Sequence, residues 1–155
     1  MEEGLIGFKE AFHIKPMDAG MYSPLVLAYI GDAVYEIMIR TKVVNEGNEQ
    51  VNKLHKKSAA LVKAGTQAKI LMEIEDELTE TEHAVYKRGR NAKSASMAKN
   101  ATMKEYRMAT GFEALVGYLY LSEQYDRLAK IVALGLSRLG AFKEEKETCD
   151  TKNLQ

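Results

Sequence analysis

Cysteine, proline and tryptophan are nearly missing from this chain: among 155 residues there is one cysteine, two prolines and no tryptophan. The single cysteine, Cys149, cannot close an intrachain disulfide, and no cysteine motif for metal or redox chemistry can be built from it. A reducing interior therefore suits the chain better than secretion. No basic segment precedes a long apolar run at the N-terminus, which argues against a typical signal peptide. No charge-free apolar stretch reaches the roughly 20 residues of a membrane span. The expected location is cytoplasmic, with no membrane partner. Also absent are strand patterns, internal repeats, a GxGxxG turn and a Walker loop. The three histidines, His13, His55 and His83, lack ligand spacing, so a haem or zinc enzyme is not expected. No serine or cysteine nucleophile with a partnered histidine is visible.

What is present is helical. With 46% hydrophobic and 28% charged residues, the composition is that of one ordered domain long enough to bury a core. The formal charge is zero but unevenly spread. Glu73 to Glu82 carries six acids and no base; Lys87 to Arg107 carries seven bases against Glu105 alone; Lys53 to Lys69 adds five lysines and no acid. A neutral total thus conceals a polarised chain.

The periodicity predicts a short amphipathic helix over 2–12, a turn at Pro16 to Gly20, and a long helix from Ser23 and Pro24 to about Val44, stopped at Gly47. Two further helices are predicted over 48–57 and 58–76, the second started by Ser58. Thr79 to about Asn91 reads as a helix with an acidic first turn and a basic last turn. The stretch to Asn100 reads as an exposed, mobile basic loop suited to phosphates. Helices over 102–121 and 126–139 follow. The expected organisation is one all-α domain over 1–141 and a charged, flexible tail over 142–155.

Two residues stand out. From Leu25 to Ile39 the long helix is apolar or small on nearly every face except at Asp32 and Glu36, so it reads as central and buried. Asp32 then needs a basic partner or a metal ion. Gly31 beside it suggests a close approach by another element. Far along the chain, TGFEALVGYLYL repeats this grammar, with Glu113 the lone acid between Gly111 and Gly117. If the two helices pack together, Asp32 and Glu113 can meet at a hard oxygen site of the kind Mg²⁺ or Mn²⁺ prefers. The bland alternative gives each acid an ordinary buried salt bridge. Spacing leaves both open.

LAYIGDAVYE, followed some 80 residues later by FEALVGYLYL, resembles the paired signature of the ribonuclease III catalytic domain. HKKSAALV, the KRGRNAKS loop and the short length resemble its Mini-ribonuclease III branch, over essentially residues 20 to 140. The resemblance implies an all-α helical bundle that dimerises and cuts double-stranded RNA with Mg²⁺, Mn²⁺ being able to substitute. The task it implies is maturation of the 23S ribosomal RNA precursor, with a ribosomal protein as an accessory and no separate RNA-binding domain. Asp32 matches the family's catalytic aspartate and Glu113 its metal-binding glutamate. Ala28, Leu25 and Thr110 stand where larger members have further carboxylates. Glu36, one turn after Asp32, is either a helper of the site or a salt-bridge residue. For RNA contact the expected residues are Lys87, Arg88, Arg90, Asn91, Lys93 and Lys99, then Lys56 and Lys57. Tyr22, Leu25, Val26 and Tyr29 are expected at the dimer interface. The competing reading is a non-catalytic RNA-binding module associated with ribosome assembly. A third is a helical protein-interaction domain.

Overall fold

A computed structural model describes residues 7–93 and 102–142 and is all-helical over them. Seven α-helices follow in order: α1 (Gly7–Ala11), α2 (Pro24–Glu46), α3 (Val51–Val62), α4 (Ala64–Ile74), α5 (Glu80–Asn91), α6 (Met103–Leu121) and α7 (Tyr125–Arg138). The predicted all-α class is what is found. None of the described helices is long and apolar enough to cross a membrane. The expected tail, beyond Phe142, lies outside the described residues, as do Cys149 and the basic stretch 94–101.

α6 is the axis of the molecule, packed between α2, α5 and α4. Glycines set how close it comes to two of them. A Cβ on Gly31 of α2 would lie 1.7 Å from the carbonyl oxygen of Glu113, and one on Gly117 of α6 would lie 1.9 Å from that of Leu27. The two backbones therefore touch at reciprocal points, which only residues without a side chain permit. Gly89 and Gly111 do the same for α5 against α6, where added Cβ atoms would meet Ala114 and the ring of Tyr86 at 2.7 and 2.6 Å. The core around this axis includes Tyr35, Ile39, Ile70, Leu71, Ile74, Phe112, Leu115 and Ile131, all essentially without solvent contact. Each such side chain contributes roughly 1.5–3 kcal/mol by leaving water. Tyr35 and Phe112 meet edge to face at 5.3 Å across the α2–α6 seam.

Helix ends follow local chemistry. Ser23 caps α2 by accepting from Val26 N–H, with Pro24 first in the helix. Thr79 with Glu82, and Thr102 with Glu105, form complete capping boxes at α5 and α6. Glu82 also receives two hydrogen bonds from the Arg127 guanidinium, at 3.0 and 2.8 Å, which ties α7 to α5. That guanidinium, together with the Thr79 donors, holds the Glu82 carboxyl below its usual range against the opposing effect of burial. Gly47 ends α2 with φ 167°, an extended conformation open to any residue, so its glycine is not required by the backbone there.

The boundary between α3 and α4 is not where the sequence suggests. Ser58 starts no helix; it lies inside α3, buried, donating back to the carbonyls of Leu54 and His55. The break comes at Lys63. It is held by side chains that take up the last carbonyls of α3: Thr66 Oγ1 donates to Ala60 at 2.7 Å, Tyr35 OH to Leu61 at 2.6 Å, and Gln67 Nε2 to Val62 at 3.1 Å. A helix end without such partners would bury unsatisfied acceptors. Three consecutive carbonyls are thus capped from α4 and α2, which fixes the elbow beside the site described next.

Candidate active site

Because α2 and α6 touch at Gly31 and Glu113, the residue after Gly31 and the side chain of Glu113 come to one place. Asp32 and Glu113 line a single open cleft of about 370 Å³ with Leu25, Ala28, Tyr29, Tyr106, Thr110 and, from the elbow, Val62, Lys63 and Ala64. Two acids some 80 residues apart in sequence line one cleft.

Their electrostatics are those of uncompensated charges. Burial pushes the Glu113 carboxyl up to about 7, the charge of Asp32 adds to that shift, and a hydrogen bond from the Gln67 side chain works against it. Asp32 is also raised, first by partial burial and then by the charge of Glu36. No basic side chain offsets either shift. The salt bridges among the described residues go to other acids, including Glu36 with Arg40, Glu49 with Lys57, Glu82 with Arg127 and Glu77 with Arg138. The salt-bridge alternative for Asp32 and Glu113 therefore has no support among the described residues.

Helix α2 is less buried than its sequence suggests. Leu27, Ala28, Gly31, Tyr35, Ile39 and Val43 face inward, while Leu25, Val26 and Tyr29 are 40, 47 and 81% exposed and Asp32 faces the cleft from the open side. Among the described residues the 23-residue helix packs chiefly on α6, with α3 and α5 adding less. Tyr22 is half-buried against Leu27, Ala28, Val85 and Ala114. Glu36 accepts from Arg40 at 2.9 Å, one turn on, while its charge also acts on Asp32.

The residues expected to touch RNA are more dispersed. Lys87, Arg88 and Lys93 are exposed at the end of α5 and just after it. Arg90 lies over the ring of Tyr86 at 5.5 Å and donates to Asn91 Oδ1 at 3.2 Å. Arg90 and Asn91 line a second cleft of about 530 Å³ with Tyr86, Met72, Lys104 and Arg107. Lys104 and Arg107 belong to the basic run but escaped individual notice; their spacing of three on one helix face was the available signal. Lys56 is exposed on α3, and Lys57 is held by Glu49 at 2.7 Å. Lys99 lies outside the described residues. Lys63 and Tyr106 in the acid cleft were also missed, since nothing in sequence marks where α3 breaks.

No group of three or more His, Cys, Asp or Glu suited to a metal occurs among the described residues. The pair itself fits a hard dication: two carboxylates in one cleft, both held above their usual range, are relieved by a cation that accepts oxygen ligands and keeps several waters.

Residues 25–124 match the family described as Ribonuclease III domain. The chain is 53% identical to the Mini-ribonuclease 3 of Clostridium tetani over 76% of this chain and 78% of that one. It is 46% identical to that of Thermoanaerobacter over 88% and 96%. A crystal structure of a Fusobacterium nucleatum protein superposes with a TM-score of 0.69 at 32% identity, covering 76% of this chain and 90% of the other.

Proposed function

The chain belongs to the ribonuclease III family, and from that premise we propose that Asp32 and Glu113 hold the divalent cation with which it hydrolyses double-stranded RNA. Membership makes it an endoribonuclease with double-stranded RNA as substrate class, in a family typically dependent on metal. The observation that supports the site is the shared cleft, in which neither acid makes a salt bridge among the described residues.

Mg²⁺ suits the pair, with Mn²⁺ able to substitute, because these ions accept one or two carboxylates and complete their shell with water and phosphate oxygens. A cation held by Asp32 and Glu113 would supply a water of lowered pKa and would neutralise charge developing on the phosphoryl oxygens. Asp32 and Glu113 fix its position from two helices that cannot shift relative to each other, their backbones being in contact at Gly31 and Gly117. Lys63, on the cleft's rim, adds positive potential where the phosphodiester enters. The products are a 5′-phosphate and a 3′-hydroxyl. With only two acids, affinity for the ion should be weak in the absence of substrate phosphate.

A-form RNA presents phosphates and 2′-hydroxyls more readily than base edges. Lys87, Arg88, Arg90, Asn91 and Lys93 supply the contact, joined by Lys104 and Arg107, with Lys56 next. Two antiparallel strands call for two sites related by a two-fold axis. The exposed apolar residues Leu25, Val26 and Tyr29 on α2 are the surface for that homodimer, and Leu25 and Tyr29 also border the acid cleft. The substrate we assign is the 23S ribosomal RNA precursor, presented with help from a ribosomal protein.

The test compares wild type with Asp32→Asn on duplex and single-stranded RNA, with Mg²⁺ or chelator. Duplex cleavage should require Mg²⁺ and fall about 100-fold or more in the variant, near 3 kcal/mol of transition-state stabilisation, with duplex binding retained. Cleavage indifferent to chelator, or undiminished in the variant, overturns the assignment.

A further inference from the structure

The second cleft carries more chemistry than contact with a duplex backbone uses. Its volume of about 530 Å³ falls within the roughly 300–1,000 Å³ of sites that enclose a small molecule. Among the described residues, α4, α5 and α6 each contribute to it. Arg90, Lys104 and Arg107 bring positive charge, while Met72 and Met108 bring polarisable apolar surface and Glu75 a carboxylate. Phosphates explain the first group and not the others: methionine offers a phosphate nothing, and the carboxylate repels it. Met72 is 61% exposed, so packing of the core does not account for it. Glu75 Oε1 meets His83 Nε2 at 3.1 Å, a contact that orients the carboxylate and uses one of its roughly four acceptor sites.

We propose that this cleft receives one unpaired nucleotide of the RNA substrate, with its phosphate on the cations, its base on the Arg90 guanidinium and against the methionines, and its hydrogen-bonding edge at Glu75. The inference rests on the double-stranded RNA reading above and adds to it: the cations that hold the backbone also frame a pocket for a base. Arg90 lies over the Tyr86 ring at 5.5 Å, and because that ring is buried the guanidinium is the plane left for stacking. Inside a duplex the bases are paired and stacked, so only a bulged or single-stranded nucleotide can enter. A carboxylate only accepts hydrogen bonds. It therefore selects guanine, whose pairing edge offers two adjacent N–H donors, over uracil, whose single N–H lies between two carbonyl oxygens. By helical spacing, Lys104, Arg107 and Met108 lie on the flank of α6 opposite Tyr106, Thr110 and Glu113. The pocket thus stands one helix across from the acid cleft, about 10–12 Å away. The unpaired nucleotide is held near the scissile bond without taking its place.

The experiment measures, in chelator, affinity for three RNA duplexes identical except at the centre: fully paired, with one bulged guanosine, and with one bulged uridine. Free guanosine monophosphate is titrated separately. Wild type is compared with Met72→Ala and Glu75→Gln, substitutions at an exposed and a partly exposed position that leave the core intact. Wild type should bind the guanosine bulge about tenfold more tightly than the paired duplex. Met72→Ala should reduce that ratio by about threefold. Glu75→Gln should bring the guanosine and uridine bulges level, because a glutamine amide both donates and accepts. Ratios are the readout, so the general gain in RNA affinity from removing a negative charge cancels. Equal wild-type affinity for all three duplexes overturns the proposal and leaves the cleavage reading intact. A bulge preference that both variants keep also overturns it, since easier bending at the bulge is then the source. Free guanosine monophosphate bound in a Glu75-dependent way, with no bulge preference, overturns it by assigning the cleft to a free nucleotide. A wild type that binds none of the duplexes defeats this inference and the RNA reading together.

Discussion

At Glu113 burial and a neighbouring charge act in the same direction, and the consequence is measurable without substrate. The group titrates near 4.5 when exposed and near 7 in the folded chain, so between those values the folded state binds more protons than the unfolded one. Its contribution is fully present below about 4.5 and is lost as pH rises through about 7, a fall of about 3 kcal/mol at most. Denaturant titrations of the metal-free protein from pH 4.5 to 8 should show this decline, Glu113→Gln should lack it, and Mg²⁺ should reduce it at the upper end. A wild-type profile that matches Glu113→Gln would mean that Glu113 is not held in this environment. Asp32, also raised but open to solvent, adds a smaller slope of the same sign.

Among the elements, α2 and α6 decide whether a site exists at all. Gly31→Ala would place a methyl group 1.7 Å from a backbone oxygen, and neither helix can yield without opening the core. Such overpacking should cost about 3 kcal/mol or more and separate the two acids. Gly7→Ala in α1, where nothing lies within 4 Å of the new Cβ, should be neutral or stabilising by up to about 1 kcal/mol. Thermal melts of the two variants make the comparison, and equal melting temperatures would contradict the crossing. Much of this was legible in sequence. Ser23 and Pro24 mark the start of α2, the capping residues Thr79 and Thr102 mark α5 and α6, and the glycines beside Asp32 and Glu113 announce a close approach. The α3–α4 break was not legible, because it is fixed by Thr66, Tyr35 and Gln67, of which Tyr35 comes from a distant helix. Ser58 misled because its hydroxyl can serve equally as a cap or bond backward within a helix.

For the whole molecule, burial is incomplete in a patterned way. Leu25, Val26 and Tyr29 stand exposed near Asp32, and they are the surface proposed above for the homodimer. The sequence suggested a fully buried α2 because apolar residues occupy most of its faces; it could not say which of those faces this chain covers itself. Tyr29→Asp should shift the protein from dimer to monomer in sedimentation equilibrium while leaving its helical content intact, and a monomeric wild type would remove the two-fold arrangement. The charge polarity acts at the same scale. The acidic turn Glu75–Glu77 engages Arg138 and His83, and Glu75 also lines the cleft that holds Arg90, Lys104 and Arg107.

The most direct test of the account is anomalous diffraction from crystals of the protein equilibrated with millimolar Mn²⁺. The account predicts a peak between the carboxylates of Asp32 and Glu113, lost in Asp32→Asn. Manganese bound elsewhere, with no density between these two acids in an active preparation, would contradict it.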